Sequence, residues 1–366
     1  MLPQDYGYIV SGVHGSGIQA FRYFLQISEL SPMYWDLIGS DREGVDCLND
    51  YKKDFSPYFN DKKTWGIFLD RVYDDYTVKR LQELQTKVLH FILIRDPISL
   101  IKSGVNELIN DYVVRNVFRK DLTQPKTGDS IRYILFENPL KALNFLSTFN
   151  QVNNATLKKI YIQTADIVGE NAFLTMQNVI SMLDSGKLRQ NSDYDVRFND
   201  LLARSMPSYP TLSLENGKSF QILIGTRMSF YRYTKYHCLL DSVYKDKIII
   251  SNFTHPKRSD LKLFVVLKEG DFSVQEIVNN QQAMQLINDR IDFFIDKTYE
   301  MEQEAKKLVL KENEILEIIF QNLDFTNRLK EISISQIEPL RKEIPDIMQS
   351  WVYYNQFVKQ TGIKRI

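Results

Sequence analysis

The chain has 366 residues, 43% hydrophobic and 25% charged, which supplies a sizeable core and excludes a disordered segment. Lysine plus arginine and aspartate plus glutamate both number 46, so there is no global positive field for nucleic acid, and any anion site must be local. The two cysteines, Cys47 and Cys238, form neither a CxxC pair nor a disulfide framework, and no apolar run reaches the ~20 residues that span a bilayer. A strand is predicted almost at once after Met1 with no leader pattern before it. The expectation is therefore a cytoplasmic protein, or one at the periphery of the inner membrane, with no integral membrane segment. The short lead-in also fits a piece cut from a longer chain.

The N-terminal half alternates strand and helix signals. Tyr8–Ser11 reads as a strand, Gly12 to Gly17 as a glycine-rich turn, and Ile18–Glu29 as a helix. Thr64–Leu69 is a second strand, followed by a helix over Val78–Thr86. Val88–Ile94 is a near-continuous apolar run, as expected of a central parallel strand covered on both faces, and a helix over Ile98–Leu108 follows it. Lys159–Gln163 and Ala172–Leu183 are a further strand and helix. This alternation predicts an α/β fold with a parallel sheet, whose ligands sit at the carboxyl ends of the strands.

A polar, aromatic-rich stretch at about 111–157, with helical pieces such as Asn138–Leu146, reads as an insertion that shapes an acceptor cleft. Residues 194–210 carry weak, loop-like signals. Phe220–Ile224, Lys247–Ile250 and Leu261–Val266 are late strands. From residue 271 the chain is helical. Met284, Ile287, Ile291, Phe294, Thr298, Met301, Ala305 and Leu308 keep heptad spacing, continued by Ile315 and Ile319 and interrupted by Glu312. Two readings of that stripe are open: packing within the chain, or a homo-oligomer through the C-terminal helices. The expected division is one domain over 1–270 and a helical region over 271–366.

The turn Gly12-Val13-His14-Gly15-Ser16-Gly17 followed by Ile18 has the makings of an anion cradle, since its N–H groups and the positive end of the next helix share one focus. The Gly12-x-x-x-x-Gly17 spacing is that of a nucleotide P-loop. Ile18 and Gln19 stand where that loop carries Lys and Ser/Thr, so the grip on terminal phosphates and Mg²⁺ is missing. An NTP-dependent kinase or ordinary ATPase is thereby disfavoured. In Arg95-Asp96-Pro97, with Ser103 two helical turns beyond Pro97, a guanidinium fork and a hydroxyl end the buried strand, a good receptor for a second phosphate.

The glycine turn and the Arg-Asp-Pro-x-x-x-x-x-Ser motif together resemble the sulfotransferases that use 3′-phosphoadenosine 5′-phosphosulfate (PAPS). Lys159–Ile167 is similar to that family's strand ending in an acidic residue. The resemblance covers roughly residues 6–110 and 158–185. It implies a P-loop-like parallel sheet flanked by helices, with a helical insertion and a helical C-terminal extension. It implies that Gly12, Val13, His14, Gly15, Ser16, Gly17 and Ile18 hold the 5′ side of the donor, and Arg95 and Ser103 its 3′-phosphate. The chain departs from the pattern at Gly15, where the family carries Lys or Arg, and at Ile18, where it carries Thr or Ser. Backbone N–H groups, His14 or a cation from elsewhere must then offset charge on the leaving nucleotide.

Asp70 and Arg71 stand where heparan-type members carry a Glu-Lys pair, implying a base for the acceptor hydroxyl and a cation for the donor. A solvated pair at a strand terminus is the competing reading. His14 competes with Asp70 as the base, and strand-end packing is its plain alternative. Lys257 and Arg258, in a loop after a late strand, fit the family's basic loop over the donor phosphates, or a surface loop. Tyr231–His237 interleaves aromatic and basic residues, which suits stacking a sugar or base or contacting an anionic acceptor; it lacks a regular repeat, and core plus surface is its plain alternative. The four histidines show no metal spacing, and the resemblance implies transfer without a metal.

The functional expectation is a transferase that moves a sulfuryl-type group from a PAPS-like donor to a sugar hydroxyl of a bacterial surface polysaccharide. The turn also looks like that of capsule-locus transferases, which implies a second option, phosphoramidate transfer from a 3′-phosphocytidine donor. The rival from another class is a non-catalytic helical assembly module.

Overall fold

The structure is a computed structural model and describes residues 6–34, 65–118, 139–140, 142–194, 200–227, 229–230, 244 and 246–364. Both cysteines, Tyr231–His237 and residues 119–138 of the expected insertion lie outside them. Contacts divide the chain into two compact units: 1–105, 127–196 and 310–366 form the first, and 106–126 and 197–309 the second. The contacts draw no boundary at residue 270. The helices from residue 310 onward belong with the first unit, and the expected insertion is shared between the two. Among the described residues no helix is long and apolar enough to cross a membrane.

The first unit is an α/β unit around a five-stranded sheet: β1 (Tyr8–Gly12), β2 (Ser31–Tyr34), β3 (Trp65–Leu69), β4 (Val88–Ile94) and β5 (Thr156–Gln163), in the order β2-β3-β1-β4-β5. Every neighbouring pair is parallel. All five residues of β1 and of β3 are buried, as are all of β4 except the half-buried Leu89. These are the buried, mainly apolar strands of a sheet covered on both faces. Gly12 pairs with Leu93, which brings the carboxyl ends of β1 and β4 level. The chain leaves β1 toward β2 on one side and leaves β4 toward β5 on the other. Strand order reverses between them, where open α/β sheets form their ligand crevice.

Helices take the connections. Ile18–Ile27 follows β1, Asp75–Leu81 follows β3, Pro97–Phe118 follows β4 and Glu170–Leu183 follows β5. The second of these starts three residues before the predicted Val78, because the Asp74 carboxylate caps it by accepting from Thr77 N at 2.7 Å. Inside the sheet, His90 bridges three strands. Its Nδ1 lies 3.2 Å from Thr156 Oγ1 and its Nε2 2.7 Å from Ser11 Oγ. Thr156 spends its own proton on the Val152 carbonyl, so Nδ1 donates to Thr156 and Nε2 accepts from Ser11. Burial, with a smaller push from Lys159, takes the imidazole pKa down to about 3, so this histidine is neutral.

The C-terminal helices Glu312–Gln321, Leu323–Ile332, Pro345–Gln349 and Val352–Thr361 complete the first unit. Glu343 receives Lys159 and the Tyr161 hydroxyl, and Gln336 receives the backbone N–H and the hydroxyl of Ser147. Glu338 is fully buried and ionically matched: Arg341 holds both its oxygens at 2.9 Å and the Tyr354 hydroxyl donates at 3.0 Å.

The second unit is built on a four-stranded antiparallel sheet: β6 (Thr211–Ser213), β7 (Ser219–Thr226), β8 (Ile248–His255) and β9 (Arg258–Gly270), in the order β6-β7-β9-β8. The helix Gln281–Leu308 lays the heptad stripe on it. Ile287, Ile291, Phe294, Met301 and Ala305 share one buried cluster with Ile222, Ile224, Leu263 and Val265 of the strands. Each large side chain buried this way contributes roughly 1.5–3 kcal/mol. The stripe is therefore an intrachain core whose buried run ends at Ala305, since Leu308, expected to belong to it, is 43% exposed. Ile315 and Ile319, expected to continue it, lie on a separate helix of the first unit.

Candidate functional site

The turn after β1 is shaped by its glycines. Gly15 and Gly17 both have φ of +85°, a left-handed conformation that side chains resist. A Cβ on Gly12 would stand 2.7 Å from Ser16 Oγ. That serine is fully buried, and its hydroxyl has no hydrogen-bond partner among the described residues. Gly17 is the N-cap of Ile18–Ile27, which has no side-chain cap and no acidic residue in its first turn. A buried hydroxyl and a helix start without a side-chain cap therefore lie within one short turn. The turn is clasped from β5: Thr164 Oγ1 donates to the Ser16 carbonyl at 2.8 Å, and a Cβ on Gly17 would meet Ile167 Cδ1 at 2.7 Å.

Arg95, the first residue beyond β4, turns back onto this corner. Its Nη1 donates to the Gly15 carbonyl at 3.1 Å. A Cβ on Gly15 would lie 3.5 Å from Ser103 Oγ, so the arginine and the serine converge on one glycine. Burial lowers the Arg95 pKa, against the opposing fields of Glu312 and Asp96. Asp96, the next residue, is occupied by backbone donors. One carboxylate oxygen accepts from Ile98 N at 2.8 Å, and the other accepts from Tyr353 N and Tyr354 N at 3.1 Å each. It caps two helices at once. Burial raises its pKa, with these backbone donors opposing.

At the end of β3, Asp70 is mostly buried and its pKa is raised by that burial, against the fields of His14 and Arg22 and the Tyr73 hydroxyl. His14, on the turn, is exposed and lies within electrostatic reach of that carboxylate. Arg71 Nε is 3.5 Å from Asp70 Oδ1, but its side chain is 59% exposed and lies over the Tyr73 ring. Gln151 fixes this segment by accepting from Tyr73 N at 2.8 Å and donating to the Arg71 carbonyl at 3.0 Å.

Within the first unit, then, the turn, Arg95 and Ser103 come together, and Asp70 joins His14. Lys257 and Arg258 belong to the second unit, at the tight turn between β8 and β9. The expected loop over 251–258 is mostly strand. Lys257 Nζ is 2.7 Å from Asp296. Arg258, 7% exposed, is held bidentately by Asp260 and by Glu302 at 3.1 Å. Both cations pair with carboxylates of their own unit.

The sequence reading missed Arg22, Gln151, Thr164, Lys102 and Glu312. Arg22 left a signal: it is one arginine among apolar residues of an amphipathic helix. It is 1% exposed, lies 5.5 Å over the Phe68 ring, and its charge reaches Asp70. Among the described residues no three His, Cys, Asp or Glu side chains gather where they could hold a metal ion.

Residues 161–361, more than half of the chain, match the family described as "Protein of unknown function (DUF2972)". The match begins beyond both the glycine turn and the Arg95 motif. No curated protein and no solved structure matches the chain. The chain belongs to the DUF2972 family of proteins of unknown function.

Proposed function

We propose that the chain is a group transferase of the sulfotransferase-like kind. In this reading it moves a sulfuryl group from a 3′-phosphorylated nucleotide donor to a sugar hydroxyl of a polysaccharide. One observation carries the reading: Arg95 donates to the Gly15 carbonyl at 3.1 Å while Ser103 packs on that same glycine, at the strand-order reversal of a parallel sheet. Two oxyanion receptors side by side fit a nucleotide with phosphate at both ends of its ribose.

The turn N–H groups, Ser16 Oγ and the helix start receive the 5′-phosphosulfate. Arg95 and Ser103 receive the 3′-phosphate. The acceptor hydroxyl oxygen attacks sulfur, the bond from sulfur to the bridging oxygen breaks, and the 3′,5′-bisphosphate leaves with the electron pair. The hydroxyl proton passes to Asp70, whose pKa burial raises, giving it affinity for that proton, with the charges of His14 and Arg22 opposing the rise. Donors fixed in advance around the 5′-phosphate stabilise the charge that develops there.

The test is thermal protection of the full chain. Adenosine 3′,5′-bisphosphate should raise the melting temperature well above the effect of adenosine 5′-monophosphate, and Arg95→Ala should abolish the difference. The cytidine pair forms a second arm, which reports the preferred base. Equal protection by bisphosphate and monophosphate in both arms overturns the reading.

A further inference from the structure

The Arg95 corner holds charges that transfer itself does not use. Ser99 and Lys102 lie on the first turns of Pro97–Phe118, and both reach Glu312 Oε1, the hydroxyl at 3.1 Å and the ammonium at 2.6 Å. Glu312 is the first residue of Glu312–Gln321, where the positive end of a helix favours a carboxylate. Burial opposes its ionisation, yet Lys102, its own N–H and Ser99 together hold its pKa below the usual range. Its field also reaches Arg95. The Lys102 and Glu312 side chains are 24% and 18% exposed, so solvent screens the pair only in part. The Lys102–Glu312 pair thus lies within electrostatic reach of Arg95, where the reading above puts a phosphate.

A phosphate dianion arriving against Arg95 and Ser103 meets Glu312 as a like charge. The repulsion is relieved when the adjacent ammonium turns to the newcomer. Lys102 is the chain neighbour of Ser103, and its flexible stem allows the move. We propose that Glu312 is a resident counter-ion that occupies Lys102 while the site is empty, and that Lys102 passes from it to the 3′-phosphate on binding. Lys102 is then a third phosphate ligand beside Arg95 and Ser103, and Glu312 sets how readily the bisphosphate product leaves. The proposal rests on the two-phosphate reading of the site and deepens it.

Calorimetric titration of the full chain with adenosine 3′,5′-bisphosphate tests it, with each variant's melting temperature measured without ligand. Glu312→Gln keeps the acceptor oxygen and removes the charge. It should bind roughly three- to tenfold more tightly, the order expected of one partly screened charge pair. Lys102→Gln should bind more weakly by a similar factor, and the gain from Glu312→Gln should shrink in the double variant. Binding no tighter in a folded Glu312→Gln chain, or the full gain persisting without Lys102, overturns the proposal. If Glu312→Gln melts early, Lys102→Gln on its partly exposed lysine decides, and unchanged affinity there is the overturning result. A wild-type chain that binds no bisphosphate removes the two-phosphate site and this role with it. A wild type that binds normally beside an unaltered Glu312→Gln removes the role alone.

Discussion

Arg95 and Arg258 look alike in the sequence, each a guanidinium at a strand end near a histidine or hydroxyl, yet the fold treats them in opposite ways. Arg95 makes one hydrogen bond among the described residues, to a main-chain carbonyl in a glycine turn. Arg258 is enclosed by Asp260, Glu302 and Thr298. A guanidinium has five N–H donors, so the first retains capacity for a ligand and the second is largely spent. Asp260 is only two residues from Arg258, but Glu302 is 44 residues away, and Lys257 finds Asp296 at a separation of 39. A basic cluster is informative about binding only when its counter-charges are known, and those are a property of the fold.

The largest effect that could break this contrast is at Arg258. Arg258→Gln leaves Asp260 and Glu302, both partly exposed, facing no guanidinium, and should cost about 2 kcal/mol of stability in urea unfolding. If it instead weakened bisphosphate binding while leaving stability intact, the hairpin would join the donor site. A comparable effect at acid pH sharpens the contrast between the histidines, since His255 faces Asp292 whereas His90 is sealed among hydroxyls. His90 stays neutral in the folded chain down to about pH 3, whereas an unfolded histidine takes up its proton near 6.5. Stability from this site is therefore complete above about pH 6.5 and falls as pH drops toward 3. Between pH 7 and pH 5 the wild type should lose about 2 kcal/mol that His90→Gln does not lose. The smallest effect is at Lys257, whose partner is as exposed as it is. Lys257→Gln should leave the melting temperature unchanged in a thermal scan.

Much of the first unit was legible because its strands are buried on both faces. β4 runs from Val88 to Ile94 as read, and β1 differs by one residue. The glycine turn and the Arg95–Ser103 spacing were readable because the corner is built from local sequence on two adjacent strands. Glu312 was visible too, as a fault in a heptad stripe. It is instead an ion-pair partner of Lys102, 210 residues away. The break in the stripe marks the chain's return to the first unit at residue 310. Periodicity reports which face of a helix is buried and says nothing of what buries it, so the stripe fitted both an internal core and a partner chain. Arg22 followed the same rule: a cation on an apolar helix face signals a buried charge, but its neighbour Asp70 comes from the end of β3.

Asp96 has a practical corollary. Its carboxylate ties the start of one helix to the backbone of Tyr353 and Tyr354, in the last segment of the described chain. Trimming that segment as a dispensable tail would leave an anion stranded in the interior with two of these three backbone donors gone, one residue from Arg95. Damage to the anion corner after such an edit would come from the far terminus, with every residue of the corner itself still present.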